Sequence, residues 1–565
     1  MNPGTASPEV LQRSQRLSTF AHQGAVYLYH DLYGYLLQMS PDLLAFLDQF
    51  AEPRTVAEVV AAHADAFEGQ SPQQFVDVFY QHACLVEPGD DEVEGIWPMV
   101  AIKGKWNVWR RHGDRLTIWT AWGDRPIQKI ELDADETKMW DAFDGEKRLN
   151  ELRATFDRTK LRDLVVRLAH SDVQAIKLCA FPLSMFAKRP GMAPKYLTST
   201  MPYRRWKTGE PLEAPIADVA TDDYYRDIGD ANAQFDHQET TLSHLFREPH
   251  PALAGKTYGA ALVDALAKEG RLPATKIRVL EVGGGLGFVA RAVTEALQAR
   301  GLEVEYTIQE IAPALAAAQR ARTQGLPVTV REGDVLSAEL PADAFDLILS
   351  NEMVGDLPAV QLSREAVGLD ADGSGSGEVD PAKLAALGRP GELVTELGIH
   401  LDDAPEPFYL LTGALELMIK IAGWLAPDGT AIVTEFGDRL QWPRLSSHLD
   451  HPELSTHFGH LLQAAQAKGL TGRIDFVMDL IDMARDQEGL ATTRSHFRAL
   501  RALAADAGVE LPKLGYTREL LAARVDGKLD LAEVGELRWE KIEDRLMGLV
   551  PHEFKALVAR KPGGN

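Results

Sequence analysis

The chain has 565 residues, too many for one ordinary domain. With 45% apolar and 25% charged residues it has the balance of a globular protein. Asp and Glu number 83 against 59 Lys and Arg, and a net charge of −24 argues against general binding of nucleic acid or an anionic membrane while permitting a basic peptide or protein partner.

The opening residues MNPGTASPEV have neither a basic flank nor an apolar core, so no signal peptide is expected. An internal repeat then occupies the first 180 residues. One copy, 36–59, reads LLQMSPDLLAFLDQFAEPRTVAEV, and the other, 129–152, reads KIELDADETKMWDAFDGEKRLNEL. A constant offset of 93 residues pairs Met39 with Leu132, Asp42 with Asp135, Phe50 with Phe143 and Glu58 with Glu151. Strand-like runs precede each copy, at 26–39 and 116–132, the second turning at Gly123-Asp124. Amphipathic helices follow at 73–84 and 160–169. The pattern predicts a β-hairpin and three short helices, occurring twice. Six of the ten Trp fall here: Trp97, Trp106, Trp109, Trp119, Trp122 and Trp140, interleaved with Lys103, Lys105, Arg110 and Arg111. Such interleaving can stack on nucleic acid, but the acidic balance favours core packing or a peptide groove.

Both copies share L-x-M-S/D-x-D opening one helix and T/R-V/L-x-E-V/L opening the next. The pair resembles the PqqD-type peptide-recognition domains, small winged-helix-like elements that bind the leader of a ribosomally made peptide. The resemblance covers 15–180. It implies a peptide held as an added strand on the sheet edge, by main-chain bonds and side-chain pockets. The other use for such a pair is packing on a catalytic domain or homodimerisation.

The stretch 181–240 is irregular, with a basic cluster at Arg204, Arg205 and Lys207, and reads as a linker. The strongest motif follows at 277–297, IRVLEVGGGLGFVARAVTEAL. An apolar strand runs through Gly283, Gly285 and Gly287 into a helix, in the spacing E-x-G-x-G-x-G. Glycines let the backbone turn sharply and approach a ligand closely. The same spacing serves dinucleotides. Glu281, two residues before the first glycine, suits a cationic or amino-acid ligand and would repel a pyrophosphate.

Further strands carry acids at their ends. The run 304–315 ends its strand at Glu310, where a carboxylate can take both ribose hydroxyls. The run 328–340 places Asp334, with Val335 beside it, to meet an adenine. The run 345–358 reaches Asn351-Glu352, and 429–438 is a fifth strand. Alternating strands and helices with markers at strand ends predict a doubly wound α/β sheet. The ordered series resembles the Rossmann-like S-adenosylmethionine-dependent methyltransferases.

Within that class the stretches LEVGGGLG, IQEIAPALAAAQ, LSNEMVGDLPAVQ, VTEFGD and DRLMGLVPHEFKALVARK resemble the MidA-like family, over about 220–562. One member of that family methylates arginine during assembly of mitochondrial complex I. Glu435-Phe436-Gly437 stands where the family has D-Y-G, and 409–412 reads YLLT where it has E-x-S-P. A Gly/Ser/Asp-rich insertion lies around Ser374–Gly377.

The expected layout is therefore two PqqD-like winged-helix domains at 1–92 and 93–180, a linker at 181–235, and a methyltransferase domain at 236–565 with an insertion near 362–407. The expected function is methylation of a peptide or protein side chain, with Arg as the leading acceptor. Glu281, Gly283, Gly285, Gly287, Glu310, Asp334 and Val335 are the expected cofactor residues, and Glu352, Asn351 and His457 the catalytic ones. Asp356 and Glu435 are second choices. Glu352 would orient a cationic acceptor and take its proton, and His457 titrates near neutrality. Two cysteines, Cys84 and Cys179, exclude a disulfide framework or a Cys-based zinc site, and no metal is expected. A cytoplasmic protein with no membrane or nucleic-acid partner follows. A small-molecule methyltransferase with a dimerising repeat and a catalytically silent assembly factor are the alternatives.

Overall fold

The computed structural model describes residues 9–22, 25–30, 36–67, 70–88, 96–97, 99–122, 125–170, 172–179, 182–184, 218–219, 221–231, 241–370, 379–448, 451–512, 515–544 and 549–563. The expected turn at Gly123-Asp124, the basic cluster at Arg204, Arg205 and Lys207, and the Ser374–Gly377 insertion lie outside them.

The chain divides into two compact units. The first comprises 1–214 with 495–510 and 525–537, and the second comprises 215–494, 511–524 and 538–565. The sequence assigned the two late segments of the first unit to the catalytic domain.

In the first unit the repeat appears as two modules with one element order. Leu17–His22, Ala25–His30 and Leu36–Met39 form an antiparallel meander. Helices Pro41–Asp48, Val56–Ala62 and Pro72–Gln81 follow. In the second module Asn107–His112, Arg115–Thr120 and Gln128–Leu132 pair in the same way, followed by helices Ala134–Ala142, Leu149–Leu152 and Arg158–Ala169. Each expected hairpin gains a third strand, because an earlier run joins it.

The helix starts explain the shared pattern. Ser40 accepts from the Leu43 N–H, and Asp133 forms a capping box with Glu136. A leading strand closes each module against a trailing one: Val10–Arg13 with Leu85–Val86, and Val100–Lys103 with Ile176–Cys179. Trp97 and Trp140 are fully buried and Trp119 nearly so, which is the core-packing reading of the tryptophan cluster.

The late segment 525–537 belongs here by strand pairing. Val534–Gly535 adds antiparallel to the edge of Asn107–His112, with Val534 opposite Arg110 and Gly535 opposite Trp109. Arg110 Nε donates to Glu533 at 3.0 Å. A Cβ on Gly535 would lie 2.0 Å from Trp109 Nε1, so only glycine admits the ring there.

The second unit is built on one sheet. Its main strands are β1 (Lys276–Val282), β2 (Glu303–Glu310), β3 (Val328–Glu332), β4 (Phe345–Asn351), β5 (Leu425–Asp438), β6 (Thr471–Phe476) and β7 (Phe554–Arg560), and the short strand Thr456–His457 pairs with the end of β5. They lie in the order β3-β2-β1-β4-β5-β7-β6. The first five are parallel, and β7 runs antiparallel to both neighbours. Parallel strands need crossover connections, here including α1 (Phe288–Ala299) and α2 (Pro313–Arg322), then α3 (Thr412–Trp424) and α4 (Phe458–Ala467). Covered on both faces, β1, β4 and β5 read as near-continuous apolar runs, and Val279, Leu280, Ile348, Ile432 and Val433 are buried. The result is a mixed α/β fold around a mostly parallel, Rossmann-like sheet. The region between β4 and β5 contains helices Pro381–Ala386 and Arg389–Leu397.

Candidate cofactor and acceptor site

The strand order reverses between β1 and β4, the place where doubly wound sheets open a crevice beyond the strand ends. There β1 passes into the glycine turn and α1. Gly283 has φ +69°, and a Cβ on it would lie 2.7 Å from Met353 Cγ. Gly287 caps α1 at φ +79°, where a Cβ would press on the Gln319 backbone at 3.1 Å. Both positions therefore demand glycine.

A cavity opens over this turn. Glu281, Gly283, Gly285, Glu310, Asp334, Val335, Asn351 and Glu352 all line it, so most of the expected site comes together. Gly287 is not among the lining residues and acts through the turn. His457 is not among them either. Its Nδ1 accepts from the His460 N–H at 3.1 Å, capping α4, and its ring stacks on His460 at 3.7 Å. It therefore has a structural part here, as the cap of α4.

The acids are held in distinct ways. Glu281 is buried and accepts from the Tyr306 hydroxyl at 2.9 Å, and burial pushes its carboxyl up to about 8. Glu310, also buried, accepts from the Ala312 N–H at 3.0 Å and the Gln319 amide at 2.7 Å. Burial raises it despite these bonds. Gln319 also donates to the Gly285 carbonyl at 2.8 Å, tying α2 to the glycine turn. Asp334 accepts from the Leu336 N–H at 2.8 Å.

Across the cavity, Asn351 donates to Ser243 Oγ at 2.8 Å and accepts from Thr434 Oγ1 at 2.9 Å, which fixes its amide. Glu352 adopts φ +54° and accepts from the N–H groups of Leu242 and Ser243, at 3.2 and 3.3 Å. Tyr225 donates to Asp356 Oδ2 at 2.8 Å, and Thr221 donates to the Asp356 carbonyl at 2.5 Å. Glu435 is buried behind them and accepts from the Gly355 N–H at 3.2 Å. Burial, then the charges of Asp356 and Glu352, drive its pKa well above the carboxylate range. Tyr225, Ser243 and Tyr306 were not marked by any sequence motif, whereas Gln319 closes the stretch IQEIAPALAAAQ.

This lining suits a ligand that is cationic at one end and hydroxylated at the other. Residues 280–367, from β1 past β4, match the family model described as a methyltransferase domain. The chain carries a methyltransferase domain. It is S-adenosylmethionine-dependent, and that cofactor supplies a methyl group already activated on a sulfonium. No curated protein matches the chain.

Among solved structures, a Burkholderia thailandensis protein bound to S-adenosyl-homocysteine is 16% identical. That match covers 65% of this chain and 92% of the other, with a TM-score of 0.33. An uncharacterized protein of the same organism is 19% identical, with coverages of 65% and 91% and a TM-score of 0.33. An S-adenosylmethionine dependent methyltransferase from Mesorhizobium loti is 14% identical, with coverages of 53% and 98% and a TM-score of 0.26. Among the described residues, no group of His, Cys, Asp or Glu is placed to hold a metal, and no helix is long and apolar enough to cross a membrane.

Proposed function

We propose that this MidA-like methyltransferase transfers a methyl group to a cationic side chain of a peptide or protein, with arginine the leading acceptor. In this reading Glu310 takes the ribose hydroxyls, Asp334 and Val335 meet the adenine, and Glu281 meets the cofactor's ammonium. The observation that carries the acceptor class is the acidic wall of Glu352 and Asp356, with Glu435 buried behind it. Burial first, and then the nearby charges of Asp356 and Glu352, hold Glu435 well above the carboxylate range. A guanidinium entering beside Glu352 and Asp356 relieves that repulsion. Catalysis then rests on alignment and exclusion of water, since the methyl group arrives activated.

The N-terminal modules read best as PqqD-like, winged-helix-like elements that hold a leader peptide. Support comes from the second module, whose sheet edge already takes a strand, Val534–Gly535, by main-chain pairing. Tethering raises the acceptor's effective concentration, so a weak fit at the site suffices. The test incubates the full chain with S-adenosylmethionine and basic precursor-type peptides and locates the added methyl by mass spectrometry. Methylation of an Arg or Lys side chain, reduced about 100-fold or more in Glu352→Gln with cofactor binding retained, is the expected result. Turnover confined to small molecules would reject the peptide reading.

A further inference from the structure

The cavity lining is one-sidedly acidic. Glu281, Glu310, Asp334, Glu352 and Asp356 line it, and among the described lining residues His244 is the one side chain able to carry positive charge. The cofactor ends in an α-carboxylate as well as an α-ammonium. A carboxylate entering among five acids needs a cationic or N–H partner.

His244 is 6% exposed, and Arg247 Nη1 lies 3.0 Å from its Nε2. A guanidinium has donors only, so Nε2 accepts and the ring proton sits on Nδ1. Arg247 thereby fixes the tautomer and places a full positive charge behind the imidazole. The Arg247 and Arg322 guanidinium groups lie 4.7 and 3.5 Å from the Phe288 ring, which opens α1 and lines the cavity. The positive end of the pocket is therefore here. Glu352, by holding the Leu242 and Ser243 N–H groups, positions the turn that carries His244.

The geometry points to His244, backed by Arg247, as the subsite for the carboxylate of the cofactor's amino-acid end. A carboxylate on the acceptor has the same chemistry, and the experiment separates the two. The inference rests on the cofactor and not on the acceptor class, so a small-molecule acceptor would leave it standing.

Calorimetry on the full chain, without acceptor, compares S-adenosylhomocysteine, its decarboxylated analogue and 5′-methylthioadenosine. Wild type is expected to prefer S-adenosylhomocysteine over the decarboxylated analogue by about 10- to 100-fold. His244→Ala and Arg247→Met bring that ratio close to one. Their unchanged affinity for 5′-methylthioadenosine shows that the pocket still folds. A His244→Ala protein that keeps the wild-type ratio overturns the assignment. So does one that keeps the ratio while a carboxylate-bearing acceptor loses affinity, since the carboxylate is then the acceptor's. Should His244→Ala fail to bind 5′-methylthioadenosine, His244→Gln is read in its place. A wild type that does not distinguish the first two ligands overturns the assignment without any variant.

Discussion

Glu281 stands at the end of β1 with only the interior around its carboxyl and the Tyr306 hydroxyl donating to it. Its pKa of about 8, against an ordinary 4.5, means that the folded protein keeps it protonated while the unfolded chain ionises it. The folded state is therefore penalised increasingly as pH rises from 4.5 to about 8, and the penalty is constant above that. An ammonium ligand favours the ionised form. Binding of S-adenosylhomocysteine should tighten as pH rises towards 8, by up to about tenfold per pH unit, with release of a proton. Calorimetry in two buffers of different ionisation heat reads that proton directly. Glu281→Gln should flatten the dependence, and a wild-type affinity independent of pH would remove Glu281 from the ammonium's neighbourhood. Glu281 was legible in the sequence because an acid two residues before a glycine turn is a local pattern. Gln319 closes the stretch IQEIAPALAAAQ, but its role was not legible, because its contact with the Gly285 carbonyl exists only once β1 and β2 are paired. His244 was hidden for the same reason, and the capping part of His457 was not legible because a capping imidazole and a catalytic one share residue type and helix-start position.

At the scale of elements, the start of α4 is unusual. A helix start normally uses Ser, Thr, Asp or Asn to accept a first-turn N–H, and here His457 Nδ1 does so. Acceptance requires the neutral ring. Burial holds His457 below its usual pKa and pushes His460 down to about 3, with the stacked partner adding to the latter. Folded-state pKa values below 6.5 mean that the unfolded chain takes up protons first. Stability is therefore lost progressively as pH falls below about 6.5. His457→Asn keeps a capping oxygen without the titration, so its thermal midpoint should fall less than wild type's between pH 7 and 5. His457→Ala should lose about 1 kcal/mol at neutral pH. Equal acid sensitivity in wild type and His457→Asn would place the titration elsewhere. The doubly wound sheet was legible because its central strands β1, β4 and β5 are near-continuous apolar runs and the strands end at a glycine or an acid. The repeat showed through its constant offset and shared capping residues. The first strand of each meander was not legible, since a run such as Leu17–His22 mixes polar and apolar residues and becomes a strand only through its neighbour.

At the scale of the molecule, chain order and domain order part company. The chain returns to the first unit at 495–510 and 525–537, after most of the second unit is complete. It then ends in β7, which the second unit's sheet needs between β5 and β6. No single cut therefore separates the units, and removing the N-terminal residues is not a clean test of what they do. Helix Arg494–Asp506, most of which clusters with the first unit, buries Phe497, Leu500 and Leu503. Val534–Gly535 has its ladder partners in Asn107–His112. A fragment of residues 215–565 would carry both segments without the unit that they complete, leaving an apolar helix face and an unpaired strand exposed. It should associate, seen as a rise in mass by light scattering. The same fragment with 495–510 and 525–537 replaced by Gly/Ser linkers should stay monomeric and still bind S-adenosylhomocysteine, because every described residue lining the cavity lies in the second unit. A monomeric, cooperatively melting 215–565 would show that the two late segments are not held by the first unit.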